Sequence, residues 1–440
     1  MTKRARTTIF LICLFLFILI TPVAVLYSQG YRLDFNPPAG GKIITQTGGL
    51  FLKILPKQVE VYLDGNLKKK TDFFFGSVLI ENLLPKKYTI RVQKEGFYPW
   101  EKVLEIKEKE VTEAENIVLF PKNPNFSILI KGVGNFWFSP DQKNIILKEE
   151  NKNGWSLKLY ELDKNIKSHL IKEDDFFSTF TPINGSSAIN EADISSKGAD
   201  LFKLSFLEDP KKILLGVGVE DQIKYYVLNI ERVPPALTES GPSVPPVENA
   251  VVYKEINGDV YYLDSYGNLF KNDLILTGES FPVEQETEYK LEVFQNHIFL
   301  KESKALYQLN PESKSFEKIF DETKGFKISP DSNKLVYFSD YEIWILYLED
   351  EFGQPQRKAG EKIFLIRLSE KIQDCFWLNA NYLIFVTGNK IKISEIDTRD
   401  KINVIDIANF ETPEIFWNKT NKRLYILSNG NLYSSGTLSF

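Results

Sequence analysis

Apolar and polar positions along the chain fall into three regimes. Met1 to Arg6 carries three positive charges, and residues 7–27 then contain no charge at all. An apolar run of about 20 residues is what a helix needs to cross the hydrocarbon core of a bilayer. From Leu50 onward short runs with period-two alternation take over, the signature of half-buried strands. Between the two, residues 28–48 are polar and hold Pro37, Pro38, Gly40 and Gly41, which predicts a tether.

One short phrase recurs within the strand-rich part. Phe136-Trp-Phe leads into Ser139-Pro140-Asp141 and out into Ile145-Ile-Leu147, and Phe326-Lys-Ile leads into Ser329-Pro330-Asp331 and out into Leu335-Val-Tyr337. Proline fixes φ at the second turn position, and the Ser and Asp side chains can bond to nearby backbone amides, so each copy predicts a β-hairpin. Worn copies occur around Trp377 and Trp417, with a fainter one at 204–215. Lys327 holds the place equivalent to those tryptophans. A unit of about 40 to 50 residues that cannot bury its faces alone predicts the stacked blades of a β-propeller. Blades are expected near 126–171, 174–230, 248–277, 281–320, 323–369, 372–409 and 412–440, about seven in all. Phe and Trp at repeat positions predict contacts between neighbouring blades.

The amino-terminal pattern predicts residues 1–6 in the cytoplasm, a membrane anchor at 7–27 and everything beyond on the outer side, because positive charge stays inside. A cleaved signal peptide is the rival, but its apolar core is shorter, roughly 7 to 15 residues, and no small-x-small site comes after it here. A buried core helix is the remaining alternative.

Residues 49–121 read as a small all-β domain. Val59-Glu-Val-Tyr62-Leu63 runs into Asp64-Gly65, a hairpin signal, and Tyr88-Thr-Ile-Arg-Val92 runs into Gly96-Phe97. With Pro56, Lys70-Thr71 and Leu84-Pro85 in order, this stretch resembles the PEGA domain, a small β module of prokaryotic envelope proteins. The resemblance implies an extracytoplasmic interaction or spacer module without a reaction. The tetrapeptide that names that family is replaced here by Pro56-Lys-Gln58-Val59. The charge alternation at 105–110 predicts a solvated edge strand and turn.

Residues 125–440 resemble TolB-type and WD-repeat-like propellers, whose blades carry a Ser-Pro-Asp-Gly-Lys turn. Gln142 and Ser332 stand where that glycine would be. Two insertions interrupt the pattern: a proline-rich loop at 233–246 and a long hairpin loop at 350–361, the kind of loop that carries binding on a rigid scaffold.

Composition changes this picture little. With 54 basic and 59 acidic residues the formal charge is -5, which gives no footprint for nucleic acid. Two cysteines, Cys13 and Cys375, cannot build a disulfide framework. His169 and His297 lack metal-ligand spacing, and no nucleophile elbow, phosphate loop, dinucleotide motif or calcium loop occurs. No cofactor is expected. The neighbouring acids Glu149-Glu150 and Asp174-Asp175 are poor acid/base partners, since adjacent strand residues face opposite ways.

The expected protein is thus all-β: a transmembrane helix, a small PEGA-like β-sandwich, then a propeller. Its expected role is that of a non-enzymatic scaffold recognising an envelope protein or cell-wall polymer. The alternative is a hydrolase or lyase with acids converging in the propeller channel.

Overall fold

The computed structural model describes residues 3–34, 43–151, 154–176, 198–207, 209–219, 222–240, 247, 249–256 and 258–438. Pro37, Pro38, Gly40 and Gly41 of the expected tether, and residues 241–246 of the proline-rich loop, lie outside them.

A helix spans Lys3–Ser28 and carries Pro22 inside it. An 18-residue window within Arg6–Ser28 has a mean hydropathy of 3.1 and is not buried against the rest of the chain, so by length and composition the helix can cross a membrane. The segment after the helix is more ordered than its composition predicts. Tyr31–Leu33 pairs antiparallel with Ile44–Gln46, and Thr47 donates its amide to the Gly30 carbonyl at 2.9 Å. These two strands form a short ribbon that leads into the next module.

That module is two sheets face to face. In one, Gly48–Leu55 lies between Ser77–Leu83, antiparallel, and Val111–Val118, parallel. In the other the order is Asn66–Lys70, Glu60–Leu63, Lys87–Gln93, Trp100–Glu105. Period-two alternation supplies the core between them: Leu50, Leu52 and Ile54 from the first sheet meet Val61, Leu63, Ile90 and Val92 from the second. Burying each such side chain contributes about 1.5–3 kcal/mol. At the hairpin Asp64 and Gly65 have φ of 48° and 77°, the pair of positive values a type I′ turn requires.

Beyond Pro124 the described chain forms seven four-stranded antiparallel sheets. The first strands of these sheets are Val133–Phe138, Asp200–Phe206, Ala250–Ile256, Tyr289–Phe294, Gly325–Ile328, Ile372–Asn379 and Glu414–Asn418. Each of the first six continues through three consecutive strands. Apolar clusters lie between most neighbouring sheets. Trp377 and Phe385 of the sixth pack on Val336 and Ile345 of the fifth, and Tyr425 and Leu432 of the seventh pack on Ile145 and Leu147 of the first. This last contact joins the end of the series to its beginning, the arrangement of a β-propeller.

Two placements differ from the sequence reading. Ala236–Ser240, expected within the proline-rich loop, pairs with Gln222–Asn229 as the fourth strand of the second sheet. Phe126–Lys131, expected to open the first repeat, instead pairs with Asn431–Ser435 and completes the seventh sheet. The seventh repeat supplies only three strands of its own, and this fourth strand satisfies the backbone edge they would otherwise expose.

Candidate functional site

The residues singled out by motif are placed in turns. Asn144 donates its amide to Ser139 Oγ at 3.0 Å, Ser139 Oγ donates to Asp141 Oδ1 at 2.5 Å, and Lys143 donates its amide to the same Oδ1 at 3.1 Å. The second copy repeats this, with Lys334 donating its amide to Ser329 Oγ at 2.9 Å and Ser329 Oγ donating to Asp331 Oδ1 at 2.5 Å. Pro140 and Pro330 sit at the second position of these turns. Both serines are buried. The turns join the first and second strands of their sheets, and their polar groups are occupied by one another. Gln142 and Ser332 have φ of 60° and 71°, the left-handed conformation that glycine adopts most easily.

The small module's motif residues are likewise internal. Asp64 accepts from the Thr89 amide at 3.0 Å and from Lys86 Nζ at 3.1 Å, and burial, which alone would raise its carboxyl, is outweighed by these donors, so its pKa is lowered. Tyr62 donates its hydroxyl to Glu60. Pro56 follows a cis peptide bond, Gly96 has φ of 79°, and Gln58 has φ of 59°.

A different set of residues forms a continuous belt along the first strands of adjacent sheets. Phe138 stacks on Phe416 with ring centres 4.0 Å apart and planes 9° from parallel, and Phe416 meets Phe376 edge-on at 6.1 Å. Lys327 Nζ lies 3.0 Å from the centre of the Phe376 ring and 2.7 Å from Asp374 Oδ1. Further round, Lys290 sits over Phe326, and Glu292 is held by both Lys254 and Lys290 at 3.1 Å. Phe136, Phe138, Phe376 and Phe416, with Asp374 and Glu414, line an open cavity of about 540 Å³. Desolvation lowers the pKa of Lys327, and Asp374 opposes that shift. One side of the belt is therefore aromatic and the other an alternation of lysines and carboxylates. Such a surface can stack planar or sugar-like faces and offer paired charges.

The sequence reading missed how the two β units meet. Lys102, on the edge strand Trp100–Glu105, is fully buried and lies 2.5 Å from Glu395 Oε1 of the sixth sheet. Its ammonium also donates to the carbonyls of Asp397 at 2.8 Å and Lys401 at 3.0 Å, while Trp100 Nε1 donates to Glu395 Oε2 at 2.7 Å. Tyr382 accepts the Val118 amide at 3.0 Å, and burial pushes its phenol pKa up. The 350–361 loop turns to the same place: Gln354 accepts the Glu113 amide and donates to the Val111 carbonyl, each at 2.9 Å. That long loop thus holds the chain's own small module, around a cavity of about 190 Å³. A signal existed in the pattern. Trp100, Lys102 and Leu104 share one face of their strand and Ile391, Ile393 and Glu395 share one face of theirs, so each unit carries an opposite charge at an inward position.

The paired acids and histidines are accounted for structurally. Glu149 is buried and Glu150 exposed, as alternation requires, with Glu149 held by Lys158 and Lys167. Asp174 pairs with Lys172 at 2.9 Å. His297 Nδ1 is 3.3 Å from Gln308, and His169 is exposed on the strand Ile166–Lys172. Cys375 is buried, which pushes its thiol pKa up and keeps it protonated. Among the described residues no group of His, Cys, Asp and Glu could hold a metal ion.

No protein-family model matches the chain, and no curated protein matches it by sequence. Solved structures do. The chain is similar to the β-propeller domain of Cps50 (Swd1) from Myceliophteria thermophila, at 12% identity over 72% of this chain and 100% of that one, with a TM-score of 0.40. It is similar to YCF48 from Cyanidioschyzon merolae, at 8% identity over 70% and 98%, with a TM-score of 0.42. Virginiamycin B lyase from Staphylococcus aureus is similar at 11% identity over 72% and 100%, with a TM-score of 0.40. At these identities the likeness is one of fold alone.

Proposed function

We propose that this protein is a membrane-anchored binding scaffold. In this reading Arg6–Ser28 spans the cytoplasmic membrane with the amino terminus inside, the small module is PEGA-like, and a seven-bladed propeller presents a recognition surface to an envelope protein or a cell-wall polymer. The observation that carries the reading is the ion pairing in the inner-strand belt. Two of its carboxylates are paired, Glu292 with Lys254 and Lys290 and Asp374 with Lys327, beside stacked phenylalanines. Paired acids beside aromatic faces suit recognition, whereas acid/base hydrolysis needs carboxyl groups poised at different protonation.

The test is capture by the full chain, reconstituted in lipid nanodiscs, from solubilised envelope proteins and from purified wall polymer. Saturable capture of one component, lost when Phe416 and Lys327 are substituted, is the expected result. Slow degradation of the polymer or of peptides without capture would overturn the scaffold reading in favour of a hydrolase or lyase.

A further inference from the structure

The small module has one edge against the propeller and one edge away from it. Trp100–Glu105 and Val111–Val118 make the contacts with the sixth sheet, and the opposite edges of the two sheets are Asn66–Lys70 and Ser77–Leu83. On that free edge, the loop between these two strands exposes three consecutive phenylalanines: Phe73 is 65%, Phe74 72% and Phe75 75% exposed. Three adjacent exposed aromatics call for an occupant.

The loop is built to hold them out. Asp72 accepts the Phe75 amide through Oδ1, and accepts the amide and hydroxyl of Ser77 through Oδ2 at 2.8 and 2.9 Å. Lys57 Nζ donates to the Phe74 carbonyl at 2.5 Å. Gly76 has φ of 70°, and a Cβ there would come within 2.5 Å of the Ile54 carbonyl oxygen, so only glycine fits. Phe73 and Phe74 brace each other edge-on at 5.4 Å.

Two further observations say what covers the tip. The neighbouring strand reads Asn66-Leu-Lys-Lys-Lys70 and is exposed along its whole length, so basic groups flank the aromatics; of these Lys70 is paired with Glu60, and Lys69 Nζ donates to the Leu79 carbonyl at 2.7 Å. The apolar helix also reaches the module on this edge. Arg32, just beyond the helix, donates to the Tyr27 carbonyl at 2.9 Å and to Asn82 Oδ1 at 2.8 Å, and Asn82 lies at the other end of Ser77–Leu83. Seven strand residues span about 20 Å, so the helix exit and the phenylalanine tip mark two ends of one edge.

We infer that this edge lies on the bilayer surface, with Phe73, Phe74 and Phe75 in the headgroup region and Lys68 over anionic lipid. The propeller, on the opposite edge, is then lifted away from the membrane. Exposed phenylalanines gain by burial at the boundary of headgroups and acyl chains, and a lysine near it is drawn to acidic headgroups. The inference rests on the membrane-anchored reading, and its test separates the two.

The full chain, in a Cys13→Ser background, is given one fluorescent probe at Phe15→Cys, Phe74→Cys or Tyr266→Cys. Tyr266 is 76% exposed and belongs to the third propeller sheet region, which serves as the control. Each variant is reconstituted into nanodiscs of phosphatidylcholine, alone or with phosphatidylglycerol, containing nitroxide-labelled lipids. The expected result is loss of emission at position 15 with mid-chain nitroxide and at position 74 with headgroup nitroxide, while position 266 keeps its emission. The loss at 74 should deepen with phosphatidylglycerol and weaken with added salt, since screening shortens the reach of exposed charges. Quenching at 15 without quenching at 74 overturns the inference and leaves the anchor intact. No quenching at 15 removes the anchor and the inference with it. A probe at 74 that becomes shielded with rising protein concentration in the absence of lipid would assign the tip to a second copy and overturn the membrane assignment.

Discussion

Lys102 and Glu395 form a fully buried ion pair, 2.5 Å apart, that joins strands 293 positions distant in sequence and belonging to two different β units. Every donor on the ammonium is used, by Glu395 and by the carbonyls of Asp397 and Lys401. The carboxylate also accepts from Trp100 and from Asn403. A buried pair satisfied in this way fixes one docking geometry, whatever its net contribution to stability.

Removing one partner should separate the units. Lys102→Ala leaves Glu395 buried without its cation, and loss of one member of a buried pair costs about 3–5 kcal/mol. The expected outcome is a lower denaturation midpoint and earlier proteolysis between residues 119 and 125. Replacing both, as Lys102→Met with Glu395→Leu, should recover most of the loss. A single variant that melts and is cleaved like the parent chain would show that the pair does not hold the dock.

Lys327 is the residue to separate binding from folding. It is one third exposed, so its pair with Asp374 contributes on the order of 1 kcal/mol or less. Lys327→Met keeps the aliphatic stem but removes the charge over Phe376. The melting temperature should stay near that of the parent while capture of the ligand falls. Unchanged capture would move recognition off the belt.

Left-handed backbone at residues with a Cβ leaves stability to be gained. Ser332 has φ of 71° in the second Ser-Pro-Asp turn, where a side chain costs about 1 kcal/mol relative to glycine. Ser332→Gly should raise the denaturation midpoint, less the few tenths lost to a freer unfolded chain. Gln142→Gly should gain less, because Gln142 Oε1 accepts the Lys419 amide at 2.7 Å and that bond would go. Paired denaturation curves decide the order.

Acid should loosen the phenylalanine loop. Amide hydrogen bonds from Phe75 and Ser77 hold the Asp72 carboxyl down at about 2 from its usual 3.8. A carboxyl depressed on folding stabilises the fold above its unfolded value and loses that contribution as pH falls through the folded one. The protection of the Phe75 and Ser77 amides, taken relative to the intrinsic exchange rate at each pH, should therefore fall between about pH 4 and pH 2, and Asp72→Asn should remove that fall.

Trp377 and Trp417 show why the repeat could be read from the chain. Both occupy first strands of their sheets, and the Trp377 indole donates to the carbonyl of Lys327, the residue at the matching place in its own repeat, at 2.8 Å. Alternation and turn chemistry are local, so hairpins are legible within a dozen residues. The Lys102–Glu395 pair and the aromatic belt are not, because each member looks ordinary until folding brings in a partner from another repeat. Phe126–Lys131 fell on the wrong sheet for the same reason: its alternation predicts a strand without saying which edge it completes.

That closing strand also sets an order of events during synthesis. Phe126–Lys131 leaves the ribosome before any other propeller strand, but its partner, Asn431–Ser435, emerges only after all the intervening sheets. Through most of elongation the ring stays open, with an unpaired edge beside the completed small module, and such edges invite pairing with other chains. A premature stop before Asn431 would make that exposure permanent. Asn431–Ser435 therefore acts as the latch of the whole propeller, and its deletion should leave the ring open.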